Sequence, residues 1–136
     1  MDHSFALRVY YEDTDLAGIV YYANYLKFIE RARTEWVRGL GVDQGALRQA
    51  GTVFAVRRVE ADYLKPARFE DALVVQTAVV AVTGARIVLR QVVVRDGEVL
   101  FAAVVTLVCL GARGQAVRLP AALRAFSAAA GGDTCG

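Results

Sequence analysis

The chain has 136 residues, of which 56% are apolar, and a formal net charge of +2. This composition predicts a single folded domain with a large apolar core, which we place at residues 1–130, followed by a flexible tail at residues 131–136. The basic residues are spread along the chain and form no cluster, which argues against a nucleic-acid-binding protein.

The N-terminal third of the chain predicts a strand, a turn and a long helix. Aromatic and aliphatic residues at 5–11 indicate the strand, and the acidic segment that follows ends at Gly18, which is free to adopt a positive φ. From residue 23 to residue 39 the apolar side chains recur with a helical period. The stripe that this helix should bury consists of Tyr25, Phe28, Ile29, Ala32, Trp36 and Leu40.

The rest of the chain predicts mainly β-structure. A short helix at 42–50, with Asp43 as its N-cap, comes first. Four strands are then indicated by alternating or continuous apolar residues: 56–64, 72–82, 86–95 and 99–110. The Asp-Gly pair at 96–97 predicts a tight hairpin, and a short strand and a terminal helix opened by Pro120 complete the chain.

This order of elements predicts an α+β fold, in which a curved antiparallel sheet wraps around one long central helix. The strands at 86–95 and 99–110 carry apolar residues on both faces, which is more than one helix can cover. We therefore expect a homo-oligomer, either a dimer or a dimer of dimers, that buries the surplus.

Two features of the sequence bear on where the protein works. The first fifteen residues lack the basic start and apolar stretch of a signal peptide, and the apolar run at 99–110 is shorter than the ~20 residues of a membrane helix. The two cysteines, Cys109 and Cys135, are far apart and do not resemble a disulfide framework. We expect a cytoplasmic protein with no membrane insertion.

The scarcity of histidine and serine limits the possible chemistry. His3 is the only histidine, in an end that we expect to be mobile, and the only serines, Ser4 and Ser127, also lie near the ends. A Ser-His-Asp triad and a histidine-rich metal site are therefore disfavoured. Carboxylates, tyrosines, arginines and the backbone remain, because Cys109 lies in an apolar strand and is interpreted as an inert core residue.

The segment YYEDTDLAGIVYYANYLKFIERARTEW, at residues 10–36, resembles the signature of the 4-hydroxybenzoyl-CoA thioesterase family. It is especially similar to the acyl-CoA thioesterases found with the Tol-Pal envelope system. The resemblance implies the hotdog fold and hydrolysis of a small acyl-CoA thioester, short aliphatic or aromatic, by a homotetramer or smaller homo-oligomer. It also implies sites at a subunit interface and no metal or organic cofactor.

The resemblance assigns roles to individual residues of this segment. The catalytic carboxylate of the family falls on Asp15, which either attacks the thioester as a nucleophile or activates water as a general base. The backbone N–H of Tyr22, with that of Ala23 near it, is the expected oxyanion donor at the start of the helix. Tyr22 stands where the Tol-Pal branch usually has histidine, so a mechanism that needs an imidazole is in doubt. The apolar neighbours expected to desolvate Asp15 and raise its basicity are Leu16, Ile19 and Val20.

Further residues are predicted to bind the substrate. They are Tyr11, Ile19, Val20, Ala23, Asn24, Tyr25, Arg57, Arg86 and Arg90. The arginines would meet the phosphates of coenzyme A, and Arg86 and Arg90 share one face of a strand. Each has a structural alternative: the arginines on a solvated sheet face, Tyr11 and Tyr25 in the core, and Asn24 as a helix cap.

Alternatives also remain for the carboxylates and for the function. Asp13 and Asp15 both fit the role of turn residues that bond backbone N–H groups, and we favour that role for Asp13 only. The main functional alternative is a non-catalytic module that binds acyl-CoA or an acyl-carrier protein. A hotdog dehydratase is disfavoured, because such sites pair a histidine with a carboxylate and the predicted core has no histidine.

Overall fold

One long helix lies against a single antiparallel sheet. The computed structural model describes residues 3–126. The helix, α1, spans Asn24–Gly39 and packs against three of the strands. The strands are β1 (His3–Arg8), β2 (Val53–Tyr63), β3 (Ala72–Val82), β4 (Arg86–Arg95), β5 (Glu98–Leu110) and β6 (Ala116–Val117). This arrangement confirms the predicted α+β class.

The strand order in the sheet is β1-β3-β4-β5-β2, with β6 beside the end of β5, and every pairing is antiparallel. Strand β5 is therefore an interior strand, with β4 on one side and β2 on the other, as its continuous apolar sequence indicated. Strand β2 pairs with β5 on one side only, and a bulge at Arg57 interrupts its register between Val56 and Arg58. The outer backbone edge of β2 meets no other strand within residues 3–126.

The core lies between α1 and the facing side of the sheet. Five of the six residues predicted for the apolar stripe of α1 are buried, together with Val37, and Leu40 is half-buried at the end of the helix. The sheet contributes alternate residues, such as Ile87 and Leu89 from β4, both fully buried. A helix with one apolar stripe buries it most completely against such a face.

One buried polar network crosses this core. Gln91 is fully buried; its Nε2 donates to Thr77 Oγ1 at 2.9 Å and to the Ile29 carbonyl of α1 at 3.0 Å. Its Oε1 accepts a hydrogen bond from Arg33 Nη1 at 2.9 Å. Burial lowers the pKa of Arg33, and the carboxylate of Glu30 acts in the opposite direction. The network ties the helix to the middle of the sheet.

The predicted N-cap Asp43 and the predicted Asp-Gly hairpin are found where the sequence indicated them. Asp43 is the N-cap of α2 (Gln44–Gln49), and its side chain accepts a hydrogen bond from the Ala46 N–H at 3.0 Å. Asp96 and Gly97 both have positive φ, 50° and 80°, as a type I′ hairpin turn requires.

The two ends of the described chain differ from the sequence-based expectation. Strand β1 ends at Arg8, because the Asp13 carboxylate accepts a hydrogen bond from the Tyr10 N–H at 2.8 Å and helps to form a 3-10 turn at Tyr11–Asp13. His3, expected in a mobile end, begins β1 opposite Thr77.

At the other end, α3 spans Ala121–Arg124 and follows Pro120. The predicted continuation of this helix beyond residue 126 and the predicted tail at 131–136 lie outside the described residues. Among residues 3–126 no helix combines the length and apolar character needed to cross a bilayer.

Candidate active site

A tightly closed loop connects the 3-10 turn to α1. Thr14 and Val20 form an antiparallel bridge across its base. The Asp15 N–H donates to the Ile19 carbonyl at 3.0 Å, and the Gly18 N–H donates to the Asp15 carbonyl at 3.0 Å. Gly18 has φ +78°, which explains why glycine occupies this turn. We call residues 14–23 the site loop.

A second loop, residues 64–71, holds the site loop in place. The Val20 N–H donates to the Ala67 carbonyl at 2.8 Å, and Ile19 bridges to Arg68. The Ala67 N–H donates in turn to the hydroxyl of Tyr25 at 3.0 Å. Val20 and Tyr25 are each 3% exposed, so within one protomer both side chains belong to the core.

An ion pair anchors this second loop. Arg95 Nη1 donates to Asp71 Oδ2 at 2.7 Å and to the Pro66 carbonyl at 3.2 Å, and Asp71 also accepts from the Arg68 N–H at 2.8 Å. Burial alone would raise the pKa of Asp71, but these hydrogen bonds and the Arg95 charge hold that pKa below its usual value. The hydrogen bond that Arg95 donates to Asp71 also raises the pKa of Arg95.

The Asp15 carboxylate lies exposed in the site loop. Its Oδ1 accepts a hydrogen bond from the Ala17 N–H at 2.9 Å, and Oδ2 has no protein donor within residues 3–126. Leu16 is fully exposed, and Val20 is turned into the core. The expectation that these neighbours bury Asp15 is therefore not met within residues 3–126.

The backbone just before α1, in the last residues of the site loop, presents unpaired amides. The Asp13 carbonyl accepts from both the Tyr21 N–H and Asn24 Nδ2, each at 2.9 Å, which fixes the entry to the helix. Asn24 is thus neither the N-cap of α1, a position held by Ala23, nor a hydrogen-bond partner of Asp15. In the described part of the chain, the N–H groups of Tyr22 and Ala23 donate to no protein acceptor.

The sequence reasoning did not identify Tyr63 as part of this region. Its hydroxyl donates to the Tyr22 carbonyl at 3.0 Å, and its ring lies edge-on to that of Tyr22 at a centroid distance of 6.1 Å. The available signal was the alternation in β2, which puts Tyr63 on the same face as Val59 and Ala61. Burial, with smaller contributions from Tyr22 and Tyr25, raises the pKa of Tyr63.

The remaining predicted residues lie away from the site loop or at its border. Tyr11 is 78% exposed and lies edge-on to Phe69 at 6.0 Å. Arg57 is the bulge residue of the edge strand β2. Arg86 and Arg90 alternate with buried residues of β4, so they lie on the sheet face opposite α1. One protomer does not bring these two arginines to the start of α1.

Cys109 and the large concavities are also separate from the site loop. Cys109 is fully buried, and burial raises the pKa of its thiol, which agrees with an inert core residue. A broad depression of about 550 Å³ lies at the other end of α1, around Arg38 and Asp43. A cavity of about 180 Å³ lies between α1 and the first half of β2, with Arg33 and Phe54 in its wall.

The fold, with one long helix against an antiparallel sheet, is that of the hotdog class of thioesterases, and the loop before the helix carries an exposed carboxylate and two unpaired amides. The family model described as the thioesterase-like superfamily matches residues 9–126. The chain belongs to this superfamily and is a thioester hydrolase. The resemblance found in residues 10–36 is thereby confirmed.

Individual relatives are similar over most of the chain. The acyl-CoA thioesterase YbgC of Haemophilus influenzae is 44% identical over 108 residues, which cover 79% of this chain and 79% of that protein. The acyl-CoA thioester hydrolase YbgC of Escherichia coli O6:H1 is 42% identical over 105 residues, covering 76% and 78%. The crystal structure of a probable thioesterase from Bartonella henselae has a TM-score of 0.85 and 33% identity, covering 88% of this chain and 100% of that one.

Proposed function

We propose that this protein hydrolyses the thioester bond of small acyl-CoA molecules, short aliphatic or aromatic, and that Asp15 is its catalytic carboxylate. The observation that carries the proposal is the site loop, because this one short segment contains both a carboxylate with one free oxygen and the unpaired N–H groups of Tyr22 and Ala23. The relatives named as acyl-CoA thioesterases support the choice of substrate class.

The two parts of the loop meet the two needs of thioester hydrolysis. The carbonyl oxygen of the substrate accepts hydrogen bonds from the Tyr22 and Ala23 amides, which stabilise the negative charge that develops in the transition state. Asp15 either attacks the carbonyl carbon, expelling the coenzyme A thiolate and leaving a mixed anhydride that water then hydrolyses, or it takes a proton from the attacking water. Both routes release a carboxylic acid and free coenzyme A.

The role given to Tyr22 depends on its main chain. An N–H group at position 22 is present whichever side chain stands there. Tyrosine in place of histidine therefore leaves the oxyanion donor intact. The Tyr22 side chain is 61% exposed next to that donor, so it is available to cover a bound acyl group.

In our proposal, a second copy of the chain covers Asp15 and completes the acyl pocket. We assign the dimer contact to the free edge of β2. Antiparallel pairing of β2 over its full length with its copy places residue 53 opposite residue 63. The Arg33–Phe54 cavity of one subunit then approaches Tyr22 and Tyr63 of the other. This contact removes water from Asp15 and forms the wall of an acyl pocket.

Coenzyme A carries phosphates, and the proposed dimer changes which basic side chains can reach them. Arg57 lies on the contacting edge strand, while Arg86 and Arg90 project from the outer face of the sheet. We assign these three residues, with Tyr11 at the border of the site loop, to the binding of the coenzyme A part across subunits of a dimer of dimers. Ile19, Ala23 and Asn24 are assigned to the thioester end.

The test is release of free thiol from a panel of acyl-CoA molecules: acetyl, butyryl, hexanoyl, palmitoyl, benzoyl and 4-hydroxybenzoyl. Asp15→Asn keeps the shape of the side chain and its bond to the Ala17 N–H, but loses the negative charge. We expect turnover to fall by about 10²-fold or more, with circular dichroism unchanged. Glu12→Gln, which removes a neighbouring exposed carboxylate, is the matched control and should retain turnover. Full activity of Asp15→Asn would overturn the assignment.

A further inference from the structure

We propose that Tyr63 is a positioning residue for thioester hydrolysis, which orients the Ala23 N–H as the second oxyanion donor by holding the Tyr22 carbonyl. The inference rests on the proposed function for its catalytic consequence. Tyr63 lies in the edge strand β2, 41 positions along the chain from Tyr22, the residue that its hydroxyl contacts.

Because the peptide group is planar, a hydrogen bond to its carbonyl also fixes the direction of its N–H. The Tyr22 carbonyl and the Ala23 N–H belong to one planar trans unit and point in opposite directions. A hydrogen bond of 3.0 Å from the Tyr63 hydroxyl to that carbonyl therefore sets the direction of the Ala23 N–H. It also polarises the amide, because hydrogen bonds in a chain strengthen one another.

The Ala23 N–H is unpaired in the described part of the chain, so orienting it makes it available as a donor to the substrate oxyanion. The Asn24 side-chain Nδ2 and the Tyr21 N–H already donate to the Asp13 carbonyl, so these two donors are committed to the fold. The Ala23 N–H has no acceptor among residues 3–126, and it follows directly on the Tyr22 N–H. Two successive free amides at a helix start form a suitable cradle for a developing oxyanion, provided that their planes are held.

Tyr63 is suited to hold the plane of the Tyr22–Ala23 peptide, because strand pairing and ring contacts fix its position. It is the last residue of β2 and pairs with Phe101 of β5, and the centroids of the two rings lie 5.0 Å apart. Its ring is also edge-on to Tyr25 at 5.6 Å. The N–H groups of Leu64 and Lys65 both donate to the Leu100 carbonyl, which anchors the chain immediately after it.

The kinetic test uses Tyr63→Phe, which keeps the ring in the aromatic cluster and removes only the hydroxyl. We expect kcat to fall about tenfold, less than for loss of an oxyanion donor itself, with KM changed less than twofold. Tyr21→Phe is the matched control, since the Tyr21 hydroxyl has no hydrogen-bond partner within residues 3–126. A kcat within twofold of wild type, or a loss expressed only in KM, would overturn the proposal.

A second readout does not depend on turnover. Loss of a hydrogen bond to a carbonyl moves the ¹³C′ signal of that residue and the amide ¹⁵N signal of the next. We expect NMR spectra of Tyr63→Phe to show upfield shifts of the Tyr22 ¹³C′ and Ala23 ¹⁵N signals, which Tyr21→Phe leaves in place. Unmoved signals would refute the proposal. If wild type hydrolyses no acyl-CoA, the proposed function fails, while these shifts still decide whether Tyr63 holds the peptide.

Discussion

Asp13 and Asp15 stand two positions apart and have different tasks. Asp13 accepts from the Tyr10 N–H through Oδ2 of its side chain and from Tyr21 and Asn24 through its carbonyl, so it fixes the backbone on both sides of the site loop. Asp15 makes one local bond and keeps an oxygen free. Asp15 is also the more exposed of the two, which leaves its carboxylate open to a substrate in the function that we propose.

Gln91 is the residue whose loss should most weaken the junction of helix and sheet. Gln91→Leu leaves the Arg33 guanidinium and Thr77 Oγ1 without their buried partner, so we expect the free energy of unfolding to fall by about 1–3 kcal/mol. Urea denaturation measures the change. Gln76→Leu, on the exposed face of β3, is the matched control and should change stability by no more than about 0.5 kcal/mol. Equal effects of the two substitutions would contradict the role of the network.

At the scale of elements, the loop at 64–71 connects the sheet to the site loop. It accepts from the Val20 N–H, donates to the Tyr25 hydroxyl through the Ala67 N–H and is itself held by the Asp71–Arg95 ion pair. The pair is only about a quarter exposed on each side, so solvent screens it less than a surface pair. The position of Asp15 thus depends on a carboxylate in a different loop.

The Asp71–Arg95 pair predicts a pH dependence of stability. Because the folded protein holds the pKa of Asp71 below the unfolded value of about 3.9, the stabilisation is present above that pH and is lost as the pH falls through the folded pKa. Asp71→Asn should therefore be less stable than wild type at pH 7, and the difference should shrink below about pH 4. Urea titrations between pH 7 and pH 3 measure it.

The adjacent Glu70 provides the control for this titration. It forms no ion pair within the described residues, so Glu70→Gln should follow the wild-type pH dependence closely. A difference between Asp71→Asn and wild type that stays constant from pH 7 to pH 3 would show that the charge of Asp71 does not stabilise the loop.

At the scale of the whole molecule, the free edge of β2 is the feature that supports the proposed dimer. The strand is eleven residues long, and its exposed apolar residues include Val53, Val56 and Val59. An unprotected edge of this length is a site for pairing with another strand. This strand ends at Tyr63, which contacts Tyr22 of the site loop. We therefore expect that a substitution that prevents assembly also abolishes catalysis.

A charge on this edge should separate the subunits. Val59→Lys places an ammonium group at the proposed contact, so we expect the mass measured by light scattering to fall from at least twice the 14.7 kDa chain mass to that of one chain, with loss of turnover. Val80→Lys, at an exposed valine of β3, which β4 and β5 separate from β2 in the sheet, is the control and should keep the assembly. A monomeric wild type that is fully active would refute the shared site.

The sequence by itself determined the elements whose signals are local. The helical period predicted α1 to within one residue at its start, the Asp-Gly pair marked the hairpin, and Asp43 identified the start of α2. The family signature at residues 10–36 was also readable, because its residues are contiguous. In each case the determining interactions lie within a few positions along the chain.

Only the tertiary structure decided how these elements hold the candidate site. The bonds from Tyr63 to Tyr22, from Ala67 to Tyr25 and from Gln91 to Ile29 join residues 41, 42 and 62 positions apart. A tyrosine at the end of an alternating strand or a glutamine inside an apolar one carries no local mark of its partner. Such partners are set by the register of the sheet and by the packing of α1 across it, which emerge when the whole chain buries its apolar surface.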